Sequence, residues 1–507
     1  MKPWITCGLA SFVCFFLPIA LTKNSLLAES DLYAGAAKIE VTDRDAGPVH
    51  DPSFARALVL RKGTTSTVLI AIDAVAIGEI GRLGNRFLGS LRDKMKSELG
   101  IPPENVLVNA SHCHSIPRLD SDVLAFQAVK EAWNNMVPVK VGVGTGREDR
   151  VSENRRLKLR DGSEVDMRRA YSLPRDSDVS GVGPIDPDLG VLRIDRLDGR
   201  TLAIVYNFAC HPIMNPPNKG NSADMTGIVS NVIEETLGNE SIALFVQGCA
   251  GDINPIRYKE VARTPDADPL GNMLGVSVLR TARKIEMVSN APLAVSHSML
   301  KIPRGTDLAR RIAAIESEQS RLLSRLRPTN IQFKSFLSLY LQDKLSPEFP
   351  SHSKQAYMHD QSLGRSDIEK LDSDNRASVA AYLENIADME QLTRLNTNLA
   401  LLKKHHAQNI AAPDSTIDAE MVGWRVGDFK LVTFPGELTV QIGLNIKKAV
   451  ELPHAFVAGY TNGYLYYLPT SEQRLNTGYA QEDCDCIVAP EWQAAFEKQA
   501  IEVLRKL

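Results

Sequence analysis

VLVNASHCHS, residues Val106–Ser115, is an apolar run that ends in His112, Cys113 and His114. Two imidazoles two residues apart project to one side only from extended backbone, because side chains alternate with period two along a strand. On a helix they would diverge by roughly 200°, at ~100° per residue. The stretch therefore reads as a strand that delivers two histidines to one point at its carboxyl end. Just upstream, VLIAIDAVAI (Val68–Ile77) reads as a buried strand and Arg82–Leu99 as a helix, stopped by Gly100 and by Pro102–Pro103. Strand, helix and strand make a β-α-β unit, which normally places parallel neighbours through a right-handed crossover.

The same grammar recurs twice. TLAIVYNFACHP (Thr201–Pro212) precedes a helix from about Asp224 to Leu237 and then SIALFVQGCAGDINP, so that His211 and the GCAGDINP turn (Gly248–Pro255) close two strands. DFKLVTFPGE (Asp428–Glu437) precedes a helix from Thr439 to Val450 and then AFVAGYTNGYLYY, and Glu437 closes its strand at a Pro-Gly turn. In open α/β sheets ligands bind at strand carboxyl ends, where all three units put polar, metal-competent side chains. The expected fold is therefore α/β, with a mixed or mostly parallel sheet built from β-α-β units.

Four candidate ligands follow from this placement: His112, His114, His211 and Glu437. Imidazole and carboxylate donors with one open position suit catalytic zinc, which lowers the pKa of bound water to ~7. Not all four need bind metal, since an HxH pair can divide into one ligand and one group that stabilises an oxyanion.

Outside these units, Leu308, Ile312, Ile315, Leu322 and Leu326 recur at helical spacing, as do Val379, Leu383, Ile386 and Leu392. Residues from about 306 to 410 are expected to form a helical insertion, either packed outside the sheet, closing over the site or meeting another copy. The Arg/Asp/Ser/Gly-rich stretch from Arg147 to Asp188 reads as a long functional loop or a small excursion rather than a linker.

The chain has 507 residues, 44% hydrophobic and 23% charged, with a net charge of −3, so it offers no basic field for nucleic acid and no polybasic membrane patch. Its first 28 residues, with Lys2 before an apolar run from Ile5 to Leu21, are expected to be a secretory signal or an uncleaved anchor. Residues 29–507 then form the domain, which is expected to be exported to the periplasm or the extracellular space, or held at a membrane by that segment. Of the seven cysteines, Cys113, Cys210 and Cys249 lie beside the candidate ligands and read as small buried residues, with a Cys210–Cys249 disulfide as the alternative. Asp224 reads as a helix cap and Asp73 and Asp252 as structural. Cys484-x-Cys486, among Glu482, Asp483 and Asp485, reads as a solvated acidic loop, and His405 as an unassigned solvated residue.

The ordered set NASHCHS (Asn109–Ser115), NRR (Asn154–Arg156), FACHP (Phe208–Pro212), QGCAGDINP (Gln247–Pro255), FPGE (Phe434–Glu437) and TNGYLYYLPT (Thr461–Thr470) resembles the amino-terminal catalytic domain of the neutral/alkaline, non-lysosomal ceramidases. GAAKIEVTD (Gly35–Asp43) resembles that family's start. The resemblance implies one zinc ion per chain, held by His112, His211, Glu437 and a tyrosine. The family's motif Asn-x-Tyr-x-x-Tyr, with a further tyrosine twelve residues on, fits Asn462, Tyr464, Tyr467 and Tyr479 without a gap. This implies Tyr467 at the metal and Tyr479 at the reacting group, with His114 and Arg155 on the scissile amide or its oxyanion.

Two departures stand out. The ceramidases carry Gly-Asp-x-Ser-Pro where this chain has Asn254, which is no nucleophile although its amide can donate to an oxyanion. The chain also ends at Leu507 with no room for the carboxyl-terminal β-sandwich domain that ceramidases add. The expected activity is zinc-dependent hydrolysis, by activated water, of an amide bond in a small-molecule or lipid N-acyl substrate, or of an ester. The alternative is a non-catalytic secreted binding or scaffold protein on the same fold. Nucleic acid is not an expected partner; membrane-surface association and oligomeric state stay open.

Overall fold

The computed structural model describes Met1 and residues 31–507, except 168–172, 215–219, 239, 261, 346–353 and 479. The amino-terminal stretch read as a signal or anchor thus lies outside the described residues. Among the described residues no helix is long and apolar enough to cross a membrane.

The main sheet has eight strands in the order Ile242–Gln247, Thr201–Phe208, Asp188–Arg196, Val137–Arg147, Leu32–Glu40, Phe54–Lys62, Thr65–Ile72, Val106–Ala110. Its two terminal pairs are parallel, Thr201–Phe208 with Ile242–Gln247 and Thr65–Ile72 with Val106–Ala110, and every interior pairing is antiparallel. The sheet is therefore mixed, with a β-α-β unit at each end: helix Phe87–Leu99 links one parallel pair and helix Asp224–Leu237 the other. The third unit lies in a four-stranded sheet, where Phe429–Thr433 pairs in parallel with Ala455–Ala458 around helix Val440–Val450.

Period-two alternation explains how these layers stack. Leu58, Leu69, Leu107, Val205 and Val246 on one face of the main sheet share a core with Trp424, Phe429, Leu431 and Phe456 of the smaller sheet. The other face packs on helices, through Val59, Ile70 and Val108 against Phe87, Leu91 and Met95 at one end and through Ile204, Tyr206 and Phe245 against Val229, Ile233 and Leu274 at the other. Helix Val440–Val450 and the carboxyl-terminal helix Trp492–Lys506 cover the smaller sheet with Ile442, Ile446, Trp492 and Phe496. The result is a helix–sheet–sheet–helix sandwich, and strands covered on both faces are apolar throughout.

The two parallel ends of the main sheet curl back until they touch. The Asn109 side chain accepts from the Gln247 main-chain N–H (2.8 Å) and donates to Gly459 O (2.9 Å) and Thr461 Oγ1 (2.9 Å), so one buried amide reaches all three β-α-β units. The Gln247 side chain continues the stitch by donating to Ser111 O (3.0 Å) and Cys210 O (2.8 Å).

Between Leu308 and Ala411 the described residues form the helices Leu308–Arg325, Phe333–Leu345, Lys354–Ser362 and Asp367–Ala411. The first and last pack through Ile315, Leu322, Leu392, Leu395, Leu399 and Leu402.

Several local expectations change. The first crossover helix starts at Phe87 rather than Arg82, because Gly78 and Gly81 adopt positive φ (87° and 74°) and hold the preceding segment in turns. The strand that begins at Val106 ends at Ala110, and His112 has φ of 66°, so alternation along an extended strand is not what brings its ring to the site. Cys210 and Cys249 are both buried free thiols, not a disulfide.

Removing the stitch should cost more than one hydrogen bond. Asn109→Ala leaves the Gln247 N–H buried without its acceptor, while Gly459 O keeps the Thr461 hydroxyl, an expected loss of about 1–3 kcal/mol. Urea unfolding should show it as a lower midpoint with an unchanged slope.

Candidate metal centre

Three side chains converge where the three units meet. Glu437 opens a two-residue strand, Glu437–Leu438, that pairs in parallel with Tyr467–Leu468, and its register partner is Tyr467. Gly251 of the GCAGD turn donates its N–H to Leu438 O (2.8 Å), and a Cβ there would lie 2.6 Å from the Glu437 carbonyl; only glycine lets the turn come this close. His211 is fixed by its own N–H to Ile253 O (3.0 Å) and His112 by its N–H to Ala74 O (3.0 Å).

His211 Nε2 lies 3.1 Å and His112 Nε2 3.5 Å from the same atom, Glu437 Oε2. One ligand atom from each of the three residues lies within 4.8 Å of the others, and all three residues are buried. Both rings are oriented from behind, His112 Nδ1 on Val75 O (2.6 Å) and His211 Nδ1 on Ile253 O (3.0 Å). A carbonyl only accepts, so the proton of a neutral ring sits on Nδ1 and Nε2 keeps its lone pair. Burial pulls the His112 pKa down to about 4, which makes that ring neutral at pH 7. Burial alone would raise Glu437, but His112 and His211 beside it and the Tyr464 hydroxyl outweigh this and hold its carboxyl well below the usual carboxylate range. Lone pairs of two imidazoles and a carboxylate thus point at one buried spot, an arrangement that a divalent cation relieves. Two nitrogens and one oxygen, each ring held by a main-chain carbonyl, make a donor set that fits such an ion.

Tyrosines surround Glu437. Tyr464 donates to Oε1 and Tyr460 to Oε2 (3.2 Å), and burial pushes both hydroxyls well above the ordinary tyrosine range, so they remain donors. Tyr460 was not among the expected site residues. It sits at the end of strand Ala455–Ala458 with φ of 53°, and its ring centroid is 4.6 Å from that of His112. Tyr467 lies on the strand beside Glu437 with the Arg155 guanidinium 5.3 Å above its ring. Tyr479 lies outside the described residues.

Arg155 and Asn254 reach this place together. Ser152–Asn154 pairs antiparallel with Ile253–Pro255, directly after the turn that supports His211. Arg155 is buried; its Nη2 donates to Gly251 O (2.6 Å) and its Nη1 to Asn254 Oδ1 (3.4 Å), while Asn254 Nδ2 faces Met167 O (3.4 Å). Burial opposes its charge, but Glu482 holds its pKa well above the usual value. His114 is exposed, its ring centroid 5.8 Å from that of His112, and it lines a cavity of about 340 Å³ with Val75, Gly81, Arg82, Ser115 and Ile116. The two histidines of HxH are therefore unequal, one buried at the centre and one exposed beside it.

The segment read as a solvated acidic loop is neither solvated nor a loop. Glu482, Asp483, Cys484 and Cys486 are fully buried, and Gln481–Cys484 is a short helix. His405, read as solvated, is fully buried against Asp485. The insertion covers them, and Arg155 and Arg156 neutralise the acids. Asp224 opens its helix but does not cap it by its side chain in the usual way; its φ is 55° and its carboxylate accepts from the next residue, Met225 N (2.5 Å). Asp73 pairs with buried Arg56 (2.7 Å), and Asp252 accepts from Val440 N (2.7 Å) at the start of a helix.

No family model matches the chain. It is 20% identical to the neutral ceramidase of Pseudomonas aeruginosa over 516 aligned positions, covering 94% of this chain and 71% of that protein. The crystal structure of the Pseudomonas aeruginosa neutral ceramidase superposes with a TM-score of 0.58 at 15% identity, over 94% of this chain and 74% of that one. A solved ceramidase complexed with C2 superposes with a TM-score of 0.59 at 16% identity, over 94% and 75%. At these identities what is shared is the fold, and the chain is ceramidase-like in architecture along nearly its whole described length.

The tyrosine donors make a specific prediction about the metal. Tyr464→Phe leaves Glu437 Oε1 without its buried donor and should weaken metal binding roughly 10- to 100-fold, as loss of an outer partner does; competition with a chromogenic chelator measures it.

Proposed function

We propose that this protein is an exported, zinc-dependent hydrolase that cleaves the amide bond of an N-acyl lipid. The observation that carries the reading is the buried convergence of His112, His211 and Glu437 on one point, on a fold shared with ceramidases. Zinc suits two imidazoles and a carboxylate, and when bound it supplies a Lewis acid that activates water near neutral pH. Tyr467, beside Glu437, completes the ligand set in this reading. His114, exposed beside the centre, and the buried Arg155 are donors that hold the acyl carbonyl and meet the negative charge developing on its oxygen, with Tyr479 at the same group. Asn254, where ceramidases have serine, contributes its amide N–H as a donor, so the chemistry requires no nucleophilic side chain. Export rests on the amino-terminal 28 residues.

Asn254 also favours a second reading, a binding protein that retains the fold and the metal without turnover. The two differ in outcome. Elemental analysis of purified protein should find about one zinc per chain, absent in His112→Ala, and the wild type should release fatty acid from short- or long-chain N-acyl sphingosines or other N-acyl lipids. A zinc-free native protein rules out the enzyme reading, and full zinc occupancy without turnover of any acyl substrate leaves the binding protein. Asn254→Ser should raise ceramide hydrolysis if the pocket accepts that lipid.

A further inference from the structure

The short buried helix Gln481–Cys484 lies between the candidate metal centre and the helical insertion, and it touches both. On the inner side, Arg155 Nε donates to Glu482 Oε1 (2.6 Å) while Arg156 Nη1 donates to Glu482 Oε2 (3.1 Å) and Asp483 Oδ1 (2.9 Å). One carboxylate thus holds two adjacent guanidiniums by opposite oxygens. Arg155 has a long flexible stem, and its fork can point at the site only if its Nε edge is tied down from behind. With Nε on Glu482, the two terminal nitrogens turn to Gly251 O (2.6 Å) and Asn254 Oδ1 (3.4 Å), over the ring of Tyr467.

On the outer side the insertion grips the same segment. Arg311, on helix Leu308–Arg325, donates to the Asp483 carbonyl (2.6 Å). His405, on helix Asp367–Ala411, has Nε2 2.5 Å from Asp485 Oδ1 and Nδ1 2.9 Å from Gln408 Oε1. Gln408 then donates to the Tyr466 hydroxyl (3.1 Å), and the Asp485 carbonyl accepts from the Tyr467 N–H (3.0 Å). The insertion therefore reaches Arg155 through Glu482 and Tyr467 through Asp485.

We propose that Glu482 is a positioning residue for Arg155, and that the helical insertion sets its place from outside through Arg311 and His405. The inference rests on the hydrolase reading for its kinetic consequence and on the buried contacts alone for its structural one. The carboxylate touches no reacting atom; it fixes the direction from which a guanidinium meets the acyl oxygen.

The test combines kinetics with a signal independent of turnover. In 15N-arginine-labelled protein the Arg155 Nε–H resonance, identified by its loss in Arg155→Lys, should be slowly exchanging and should exchange at least tenfold faster in Glu482→Gln. On an N-acyl substrate Glu482→Gln should lower kcat by about 10- to 100-fold, with zinc content unchanged and KM within about twofold. Glu482→Gln combined with Arg155→Lys should be no slower than Arg155→Lys alone, because both act on one interaction. His405→Gln, which loosens the segment from outside without touching Glu482, should shift the same resonance and lower kcat in the same direction; it serves if Glu482→Gln does not fold. An Arg155 resonance as protected in both variants as in the wild type, or an effect of Glu482→Gln that is undiminished in the Arg155→Lys background, overturns the proposal. A wild type that hydrolyses no N-acyl lipid overturns the hydrolase reading instead, and the resonance then decides the positioning role.

Discussion

Two buried amides, Asn109 and Gln247, hold together strand ends that the rest of the topology keeps apart. The strands Val106–Ala110 and Ile242–Gln247 are the opposite edges of an eight-stranded sheet, and the third unit belongs to another sheet. The Asn109 side chain, spanning from Gln247 N–H to Gly459 and Thr461, brings the segments that carry His112, His211 and Glu437 together, alongside main-chain bonds from Ala110 N to Tyr460 O and from Asn462 N to Val108 O. An apolar side chain at Gln247 would take the partner from Ser111 O, Cys210 O and Cys210 N–H, and one at Asn109 would leave the Gln247 N–H buried without an acceptor. The candidate metal centre is built on this closure: His112 and His211 each follow a residue whose carbonyl the Gln247 side chain holds, and Gly436, next to Glu437, accepts from Tyr460 N–H, beside Gly459.

Burial organises the charges around it. In bulk water the carboxylate of Glu437 would need no tyrosine and Arg155 no carboxylate. Buried, each must be paired, and Tyr464, Tyr460 and the two imidazoles surround Glu437 while Glu482 and Arg156 surround Arg155. Such networks contribute little net stability, since desolvation offsets attraction, but removing one member leaves another charge unmatched. That makes them suited to holding directions rather than holding the fold. The insertion extends the same logic outward, placing Arg311, Arg394 and His405 on Asp483, Asp166 and Asp485.

Much of the fold was legible because it depends on local alternation and periodicity. The three strand–helix–strand units are where the apolar runs and the Gly and Pro stops place them, and all three pairs are parallel. The differences have one source: neighbours in sequence do not fix contacts between distant segments. Local pattern puts His112 on an extended strand, yet its left-handed backbone turns it inward after the strand has ended. Glu482 and Asp483 read as solvated because acidic runs usually are; an insertion that begins more than 150 residues earlier in the chain covers them, and His405, on that insertion, is buried against Asp485. Tyr460 carries no sequence signal, because nothing local distinguishes a tyrosine at a strand end.

The sequence by itself determined the α/β class, the strand ends that carry His112, His211 and Glu437, and their chemistry as donors, because side-chain type and short-range period are local properties. Only the tertiary structure decided that two opposite sheet edges and a second sheet would close on one point, that the two histidines of HxH would part into a buried ligand candidate and an exposed neighbour, and that Arg155 would be aimed by Glu482. Those outcomes depend on desolvation and on hydrogen bonds between residues a hundred or more positions apart, which no local pattern encodes.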